Sequence, residues 1–210
     1  HPNPNLTFNF ITNLKVTPAK FKRYINRIGD MIDAGALARL QISSSLDCWG
    51  PQQEYVRHGL DLAEWTQNFE YLLDKPFVTQ CINSAISGLT IKTLPELIHR
   101  YNDWRQYKAG GIRNLSFSFM SVMAPVYMDP AIFGAGVFDD DFRAIADAFG
   151  NRVQRDQYDR EHMIGIGKQI AAADRNVTMI RGLIDYMNEL DRRRETDWRP
   201  LFPWLDQDWK

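Results

Sequence analysis

Apolar and polar residues alternate in four short runs within residues 1–125, and longer segments with apolar residues three or four apart lie between these runs. A period of two is typical of a β-strand, whereas a spacing of three or four is typical of a helix. The four predicted strands are Leu6–Thr12, Arg39–Leu46, Val78–Ala85 and Asn114–Ser121. Because strands joined by helical crossovers run parallel, the pattern predicts an α/β fold.

The segments between the predicted strands carry helix start and stop signals. Thr17 stands where an N-cap is expected, Pro18 would be the first helical residue, and Gly35 follows the last apolar position. Asp61 and Pro76 bracket a second predicted helix in the same way. The predicted order is strand, helix, strand, helix, strand, helix, strand.

The two faces of the predicted strands differ in polarity. One face is apolar, and the other carries Thr7, Asn9, Asn13, Gln41, Ser43, Ser45, Asp47, Thr79, Cys81, Asn83, Asn114, Ser116 and Ser118. A parallel sheet covered by helices on both faces is apolar on both faces. We therefore expect residues 1–125 to form a partial (β/α) barrel of parallel strands, with helices outside and a polar interior.

Residues 126–210 have a different pattern, since a connection rich in Pro and Gly leads into helical spacing. This part of the chain is predicted to be an α-helical carboxy-terminal extension. Asp139–Asp141 are interpreted as charges of a first helical turn, because adjacent carboxylates cannot all face one metal ion. Gly165 and Gly167 form a lone Gly-x-Gly without a preceding strand, so they do not predict dinucleotide binding.

Charge and cysteine content narrow the function classes. The 25 basic and 26 acidic residues give a net charge of −1, which predicts no nucleic-acid partner. No apolar run approaches the length of a membrane span, so no membrane partner is expected either. Cys48 and Cys81 alone do not make a disulfide framework, and reduced thiols favour a cytoplasmic location. Cys48 is expected to be a buried, inert thiol.

The carboxyl ends of the predicted strands are polar, and parallel α/β folds bind their ligands there. Ser45 and Asp47 fall on the same face of the second strand by alternation, and Arg57 follows Ser45 by twelve residues. A hydroxyl together with a guanidinium is suited to bind a carboxylate. Arg105 follows Trp104 on a predicted helix, and we expect it to be an exposed arginine away from this edge.

Four segments resemble the radical S-adenosylmethionine enzyme superfamily, and one of them, VTQCINSAISGLTIKTLPELI, resembles the superfamily's next strand, loop and helix. The stretch SSSLDCWGPQQEYVRHGLDLAEWTQNFEYLLDK resembles a segment in which a strand ends in Ser-Leu-Asp and Arg-x-Gly follows about a dozen residues later. FITN resembles the Thr-Asn-Gly strand end of that superfamily, with Leu14 in place of the usual Gly. Arg192–Pro203 resembles the late motif of a subgroup with a shortened auxiliary "twitch" region.

The superfamily's CxxxCxxC motif is absent from these 210 residues. The resemblance would place that motif before His1, so we expect the chain to be a truncated, carboxy-terminal portion that is inactive alone. It implies that the intact enzyme uses S-adenosylmethionine and a [4Fe–4S] cluster to form a 5′-deoxyadenosyl radical. That radical would abstract hydrogen from a small molecule or peptide whose identity the sequence does not specify.

The resemblance also implies roles for individual residues. Ser45 and Arg57 would bind the methionyl carboxylate, Asn83 the ribose, and Ser118 and Ser121 the adenine, while Thr12, Asn13 and Asp47 would face the substrate. No metal ligand is assigned in this chain. Two alternatives stay open: a non-catalytic fragment or binding module that keeps the fold without the cluster, and an unrelated barrel enzyme that uses Asp47 and Glu54 in acid–base chemistry.

Overall fold

The structure is a computed structural model that describes residues 2–3, 5–107, 115–150 and 152–209. Its strands are β1 (Thr7–Thr12), β2 (Arg39–Ser45), β3 (Val78–Ile86) and β4 (Leu115–Ser121). They form one four-stranded parallel sheet in the order β1-β2-β3-β4, which confirms the predicted α/β fold. Asn114, which was predicted to begin the fourth strand, lies outside the described residues.

Seven α-helices are described. Four connect the strands: α1 (Pro18–Asp33), α2 (Pro51–Val56), α3 (Leu62–Leu73) and α4 (Leu94–Tyr107). Three follow β4: α5 (Asp139–Phe149), α6 (Gln154–Ala172) and α7 (Val177–Arg194). Thr17 and Pro18 begin α1 as predicted, although the Thr17 side chain makes no cap hydrogen bond. The Asp61 side chain does cap α3, because it accepts a hydrogen bond of 2.9 Å from the backbone N–H of Glu64.

The strand order has a direct consequence for where the helices lie. Crossovers between parallel strands are almost always right-handed, and here every crossover advances in the same direction across the sheet. Within the compact unit that holds most of the sheet, α1, α3 and residues 100–107 of α4 therefore lie on one face of the sheet. That face is the core of this part of the chain, where Leu40, Ile42, Val78, Ile82, Leu115 and Phe117 are at most 3% exposed.

Aromatic rings fill the layer between the helices and this face. Trp65 stacks on Phe69 at a ring-centroid distance of 4.7 Å, and Phe69 lies 4.7 Å from Trp104. Tyr101 contacts Phe117 of β4 edge to face at 5.3 Å. Rings of this size account for much of the apolar area that the helices bury.

The burial of β1 differs from the sequence-based expectation. We expected Leu6 and Phe8 to be packed beneath helices, but Leu6 is 48% exposed and Phe8 is 46% exposed. The reason is that β1 is an edge strand, with a neighbouring strand on one side only. Its apolar side chains therefore meet fewer partners than those of β2 and β3.

The chain divides into two compact units. The first comprises His1–Leu46, Arg57–Ser84 and Arg100–Phe119, and the second comprises Asp47–Val56, Ala85–His99 and Met120–Lys210. The first unit holds most of the sheet with α1 and α3, and the second holds α5, α6 and α7. The predicted division into a sheet domain and a helical extension at residue 125 stays a prediction.

The second unit has an aromatic core of its own. Phe133 contacts Phe138, Trp204 and Trp209 edge to face at 5.2 to 5.5 Å. Asp139–Asp141 lie in the first turn of α5, as predicted, and Lys92 binds Asp141 at 2.7 Å. Among the described helices, none is both long enough and apolar enough to cross a membrane.

Candidate functional site

Ser45 and Asn83 are brought side by side at the carboxyl edge of the sheet. They are register partners in the β2–β3 pair, and the backbone N–H of Leu46 donates to the Asn83 carbonyl at 3.1 Å. Ser43 and Cys81 are the preceding partners on the same face. Ser45 is 9% exposed and Asn83 is half-buried, so one hydroxyl and one amide lie next to each other on this face.

The face of the sheet that carries Ser45 and Asn83 is largely open and polar. Its exposed or half-buried members include Thr7, Asn9, Gln41, Ser43, Thr79, Cys81, Asn83, Ser116 and Ser118. Ile11 and Met120, each 70% exposed, are its apolar exceptions. Hydroxyl and amide groups in this density can hydrogen-bond a polar ligand in many orientations.

The loop after β1 is held by its own polar side chains. Thr12 Oγ1 accepts a hydrogen bond of 3.1 Å from the Leu14 N–H, and Asn13 Oδ1 accepts one of 3.1 Å from the Lys15 N–H. Buried Asn68 donates from Nδ2 to the Leu14 carbonyl at 3.1 Å. Thr12 pairs in register with Ser44, whose side chain is fully buried, so alternation places Thr12 on the helix-covered face.

Leu14 has an unusual backbone conformation in this loop. Its φ is 52°, in the left-handed region that favours glycine, and its side chain is fully buried. The chain therefore turns here as it would with a glycine, and the buried leucine side chain adds packing at a position where the backbone is strained.

Asp47 is fixed in the second unit by neighbouring polar groups. The backbone N–H groups of Asp47 and Cys48 both donate to Gln53 Oε1 at 2.9 Å, and Gln53 is fully buried. The Asp47 carboxylate accepts a hydrogen bond of 2.9 Å from the Ala85 N–H. Cys48 is fully buried beside Gln53, so its predicted burial is confirmed, whereas its inertness stays a prediction. Glu54, the suggested acid–base partner of Asp47, is exposed on α2, whereas Asp47 is 6% exposed.

The remaining predicted site residues lie at the ends of other elements. Arg57 directly follows α2 in the first unit and is half-buried. Ser118 is exposed on β4, and Ser121 is the last residue of β4 and half-buried. The N–H of Val122 next to it donates to the Ile86 carbonyl at 2.8 Å, so β4 stays paired to β3 at this end.

Asp191 is the centre of a buried network that sequence patterns did not identify. Its carboxylate accepts hydrogen bonds from the Tyr55 hydroxyl at 3.0 Å, the Thr196 hydroxyl at 2.6 Å and the Trp198 N–H at 2.7 Å. Burial of Tyr55, and then its hydrogen bond to Asp191, raise the pKa of the Tyr55 hydroxyl. Arg194 donates to the Tyr55 carbonyl at 3.2 Å. The motif that begins at Arg192 thus includes residues that fix the end of α7 to α2.

Arg105 does not match the expectation of an exposed arginine. It is 5% exposed, its guanidinium lies 4.8 Å from the Tyr101 ring, and it donates to Asn102 Oδ1 at 3.5 Å. The prediction failed because arginine on a helix was assumed to face solvent, whereas a planar guanidinium stacks readily on aromatic rings.

The described part of the chain offers no metal centre, since no three His, Cys, Asp or Glu side chains in it converge. Comparison with known proteins assigns no relative: no protein-family model matches this chain, and no curated protein or solved structure is significantly similar to it.

Proposed function

We propose that this chain is the carboxy-terminal part of a radical S-adenosylmethionine enzyme and supplies binding surface for the cosubstrate and substrate. The observation that carries the proposal is the sheet, which has four parallel strands in sequential order, helices on one face and polar residues on the other. Parallel sheets are normally covered on both faces. A parallel sheet whose strands follow the order of the sequence and whose uncovered face is polar is expected for the wall of a barrel with a polar interior.

The outer edge of β1 supports a larger barrel. Leu40 donates its N–H to the carbonyl of Phe77, just before β3, and Leu46, just after β2, donates to that of Asn83 in β3. The residues of β2 that alternate with Leu40 therefore bond to β1. By the register of that pair, the backbone groups of Thr7, Asn9 and Ile11 point away from the sheet. An edge of this kind can accept a further strand, as a continuing barrel requires.

The conformation of Leu14 supports the family resemblance at a position where the residues differ. The superfamily has glycine after Thr-Asn, and this chain has leucine. Leu14 nevertheless adopts the left-handed φ of 52° that a glycine would adopt without strain. Leucine disfavours this conformation. The hydrogen bonds around the loop therefore maintain its geometry although the residue at this position is not glycine.

The residues present are suited to bind S-adenosylmethionine, but they do not supply the ligands of a [4Fe–4S] cluster. Neighbouring Ser45 and Asn83 offer a hydroxyl and an amide, and Arg57 offers a guanidinium for a carboxylate. Two cysteines, of which Cys48 is fully buried, do not supply the three thiolates of a [4Fe–4S] site. The proposal therefore requires the cluster ligands to come from a segment outside this sequence.

Calorimetric titration of S-adenosylmethionine tests the proposal with three single variants. Arg57→Ala should weaken binding by about 2–5 kcal/mol, since it leaves a desolvated carboxylate unpaired. Ser45→Ala should cost about 1 kcal/mol, as expected for one neutral hydrogen bond. Arg39→Ala is the matched control, because Arg39 is exposed at the end of β2 opposite to Ser45. This variant should change the affinity by less than about 0.5 kcal/mol.

Two outcomes would count against the proposal. Equal affinities for the Arg57 and Arg39 variants would remove its basis in individual residues. A wild-type chain that binds no S-adenosylmethionine, although it melts cooperatively, would favour the non-catalytic binding module.

A further inference from the structure

The exposed surface of α1 concentrates positive charge in a chain whose net charge is only −1. Residues 15–27 contain five basic residues and no acidic residue. Lys20, Lys22, Arg23 and Arg27 are exposed, and we refer to these four residues as the basic strip. Within the described chain none of the four forms a salt bridge at 4.0 Å or less. The near-neutral total of 25 basic and 26 acidic residues concealed this local excess.

The charges of α1 oppose its own helix dipole. The first turn holds no acidic residue, and the last turn holds no basic residue. Instead Lys20 lies in the first turn, while Asp30 and Asp33 lie at the end of the helix. Cations near a helix amino terminus and carboxylates near its carboxyl terminus are both destabilising. A pattern that opposes local stability at both ends points to a function for the charge.

Two tyrosines lie among these cations. Tyr24 is 49% exposed, with the Lys20 ammonium 5.9 Å and the Arg23 guanidinium 5.8 Å from its ring. On the α3 side, Tyr71 has Lys22 at 5.3 Å and Lys75 at 4.3 Å from its ring. Tyr71 is half-buried, so Tyr24 is the exposed ring of the two. Positive charge beside an exposed aromatic ring is the arrangement that binds single-stranded nucleic acids, in which unpaired bases stack on such rings.

The spacing on the helix suits a chain of phosphates. Lys20, Arg23 and Arg27 lie three and four residues apart, hence on one face, at rises of about 4.5 and 6 Å along the axis. The opposite face, with Phe21 and Ile25, is buried in the core and is not available to enter a membrane. We propose that the basic strip binds the phosphate backbone of a single-stranded nucleic acid and that Tyr24 stacks on one of its bases.

Fluorescence anisotropy of a labelled oligothymidylate of about 20 nucleotides tests this proposal on the whole 210-residue chain. The logarithm of the binding constant should fall with the logarithm of salt concentration at a slope of about −2, as expected for the three phosphate contacts of Lys20, Arg23 and Arg27. The triple variant Lys20→Glu, Arg23→Glu, Arg27→Glu should abolish measurable binding. Tyr24→Ala should weaken binding by about 5-fold or more, through loss of a stacked base.

A matched control separates this surface from net charge. Arg143→Glu, Arg152→Glu and Lys168→Glu change the charge equally at exposed sites of the second unit, and this triple variant should bind within about 2-fold of wild type. Equal loss in the two triple variants, or no effect of Tyr24→Ala, would overturn the proposal. Equally strong binding to poly-glutamate or to vesicles of anionic phospholipid would also overturn it, because those partners offer charge without bases. Cooperative melting of every variant establishes that each one is folded.

Discussion

The two faces of the sheet are built from the same four strands and differ in burial and in the polarity of their side chains. Ile82 on the covered face of β3 is fully buried, whereas its neighbour Cys81 on the other face is only half-buried. The covered face holds apolar side chains that pack beneath aromatic side chains of α3 and α4, and the open face holds hydroxyl and amide groups. The comparison teaches that stability lies on one face, which leaves the other face free to bind a ligand.

The largest expected effect tests where the stability lies. Ile82→Ala removes a fully buried side chain and should lower the free energy of unfolding by about 2–5 kcal/mol, because it leaves a cavity. Ile11→Ala is the matched control, since Ile11 is 70% exposed on the open face, and its cost should be below about 0.5 kcal/mol. Urea denaturation of both variants measures the difference. Similar losses would mean that the two faces do not differ as described.

A second prediction concerns the polar end of the sheet. Gln53→Ala leaves two backbone N–H groups, those of Asp47 and Cys48, without their acceptor in a buried site, and should cost about 2–3 kcal/mol. The adjacent Gln52 makes a single side-chain bond, to the Leu201 carbonyl, and is half-buried. Gln52→Ala should therefore cost about 1 kcal/mol or less. Chemical denaturation compares the free energies of unfolding of the two variants. A larger loss for Gln52→Ala than for Gln53→Ala would contradict the hydrogen bonds described for the Asp47–Cys48 loop.

Alkaline pH should weaken the Tyr55–Asp191 network. Burial first, and then the hydrogen bond to Asp191, raise the pKa of Tyr55, so the folded state keeps its proton where the unfolded state loses it. The stabilisation is complete below the ordinary tyrosine pKa of about 10 and is lost as pH rises above it. Thermal melts between neutral and alkaline pH should show this decline, and Tyr55→Phe should reduce it. An unchanged pH dependence in Tyr55→Phe would exclude Tyr55 as its source.

The smallest expected effect on stability concerns the edge of the sheet. The outward backbone groups of β1 beside exposed Ile11 favour association with a strand of another molecule, so we expect the wild-type chain to self-associate. Ile11→Lys should reduce this association with little change in unfolding free energy. Light scattering compares it with Met31→Lys, which adds the same charge on exposed Met31 of α1. Equal solubilisation by both variants would indicate a general effect of charge.

The sequence predicted the elements well because their signals are local. Alternation located all four strands to within a residue or two, and the Asp61 cap formed as expected. The burial of Arg105 could not be read from the chain, because it depends on where the Tyr101 ring lies after folding. Asp191 was missed for the same reason, since its partner Tyr55 lies 136 residues away in the chain. Gln53 was missed although its partners Asp47 and Cys48 are only six and five residues away, because the sequence does not show that the loop after β2 turns back onto this side chain.

The measurement that tests the central claim most directly is the reactivity of the two cysteines. Cys81 lies half-buried on the open face of β3, and Cys48 is fully buried beside Gln53. Native protein treated with a small thiol reagent and mapped by mass spectrometry should be modified at Cys81 first, and at Cys48 only as the protein unfolds. Equal rates at both thiols, or faster modification of Cys48, would contradict the assignment of an open face to the side of β3 that carries Cys81.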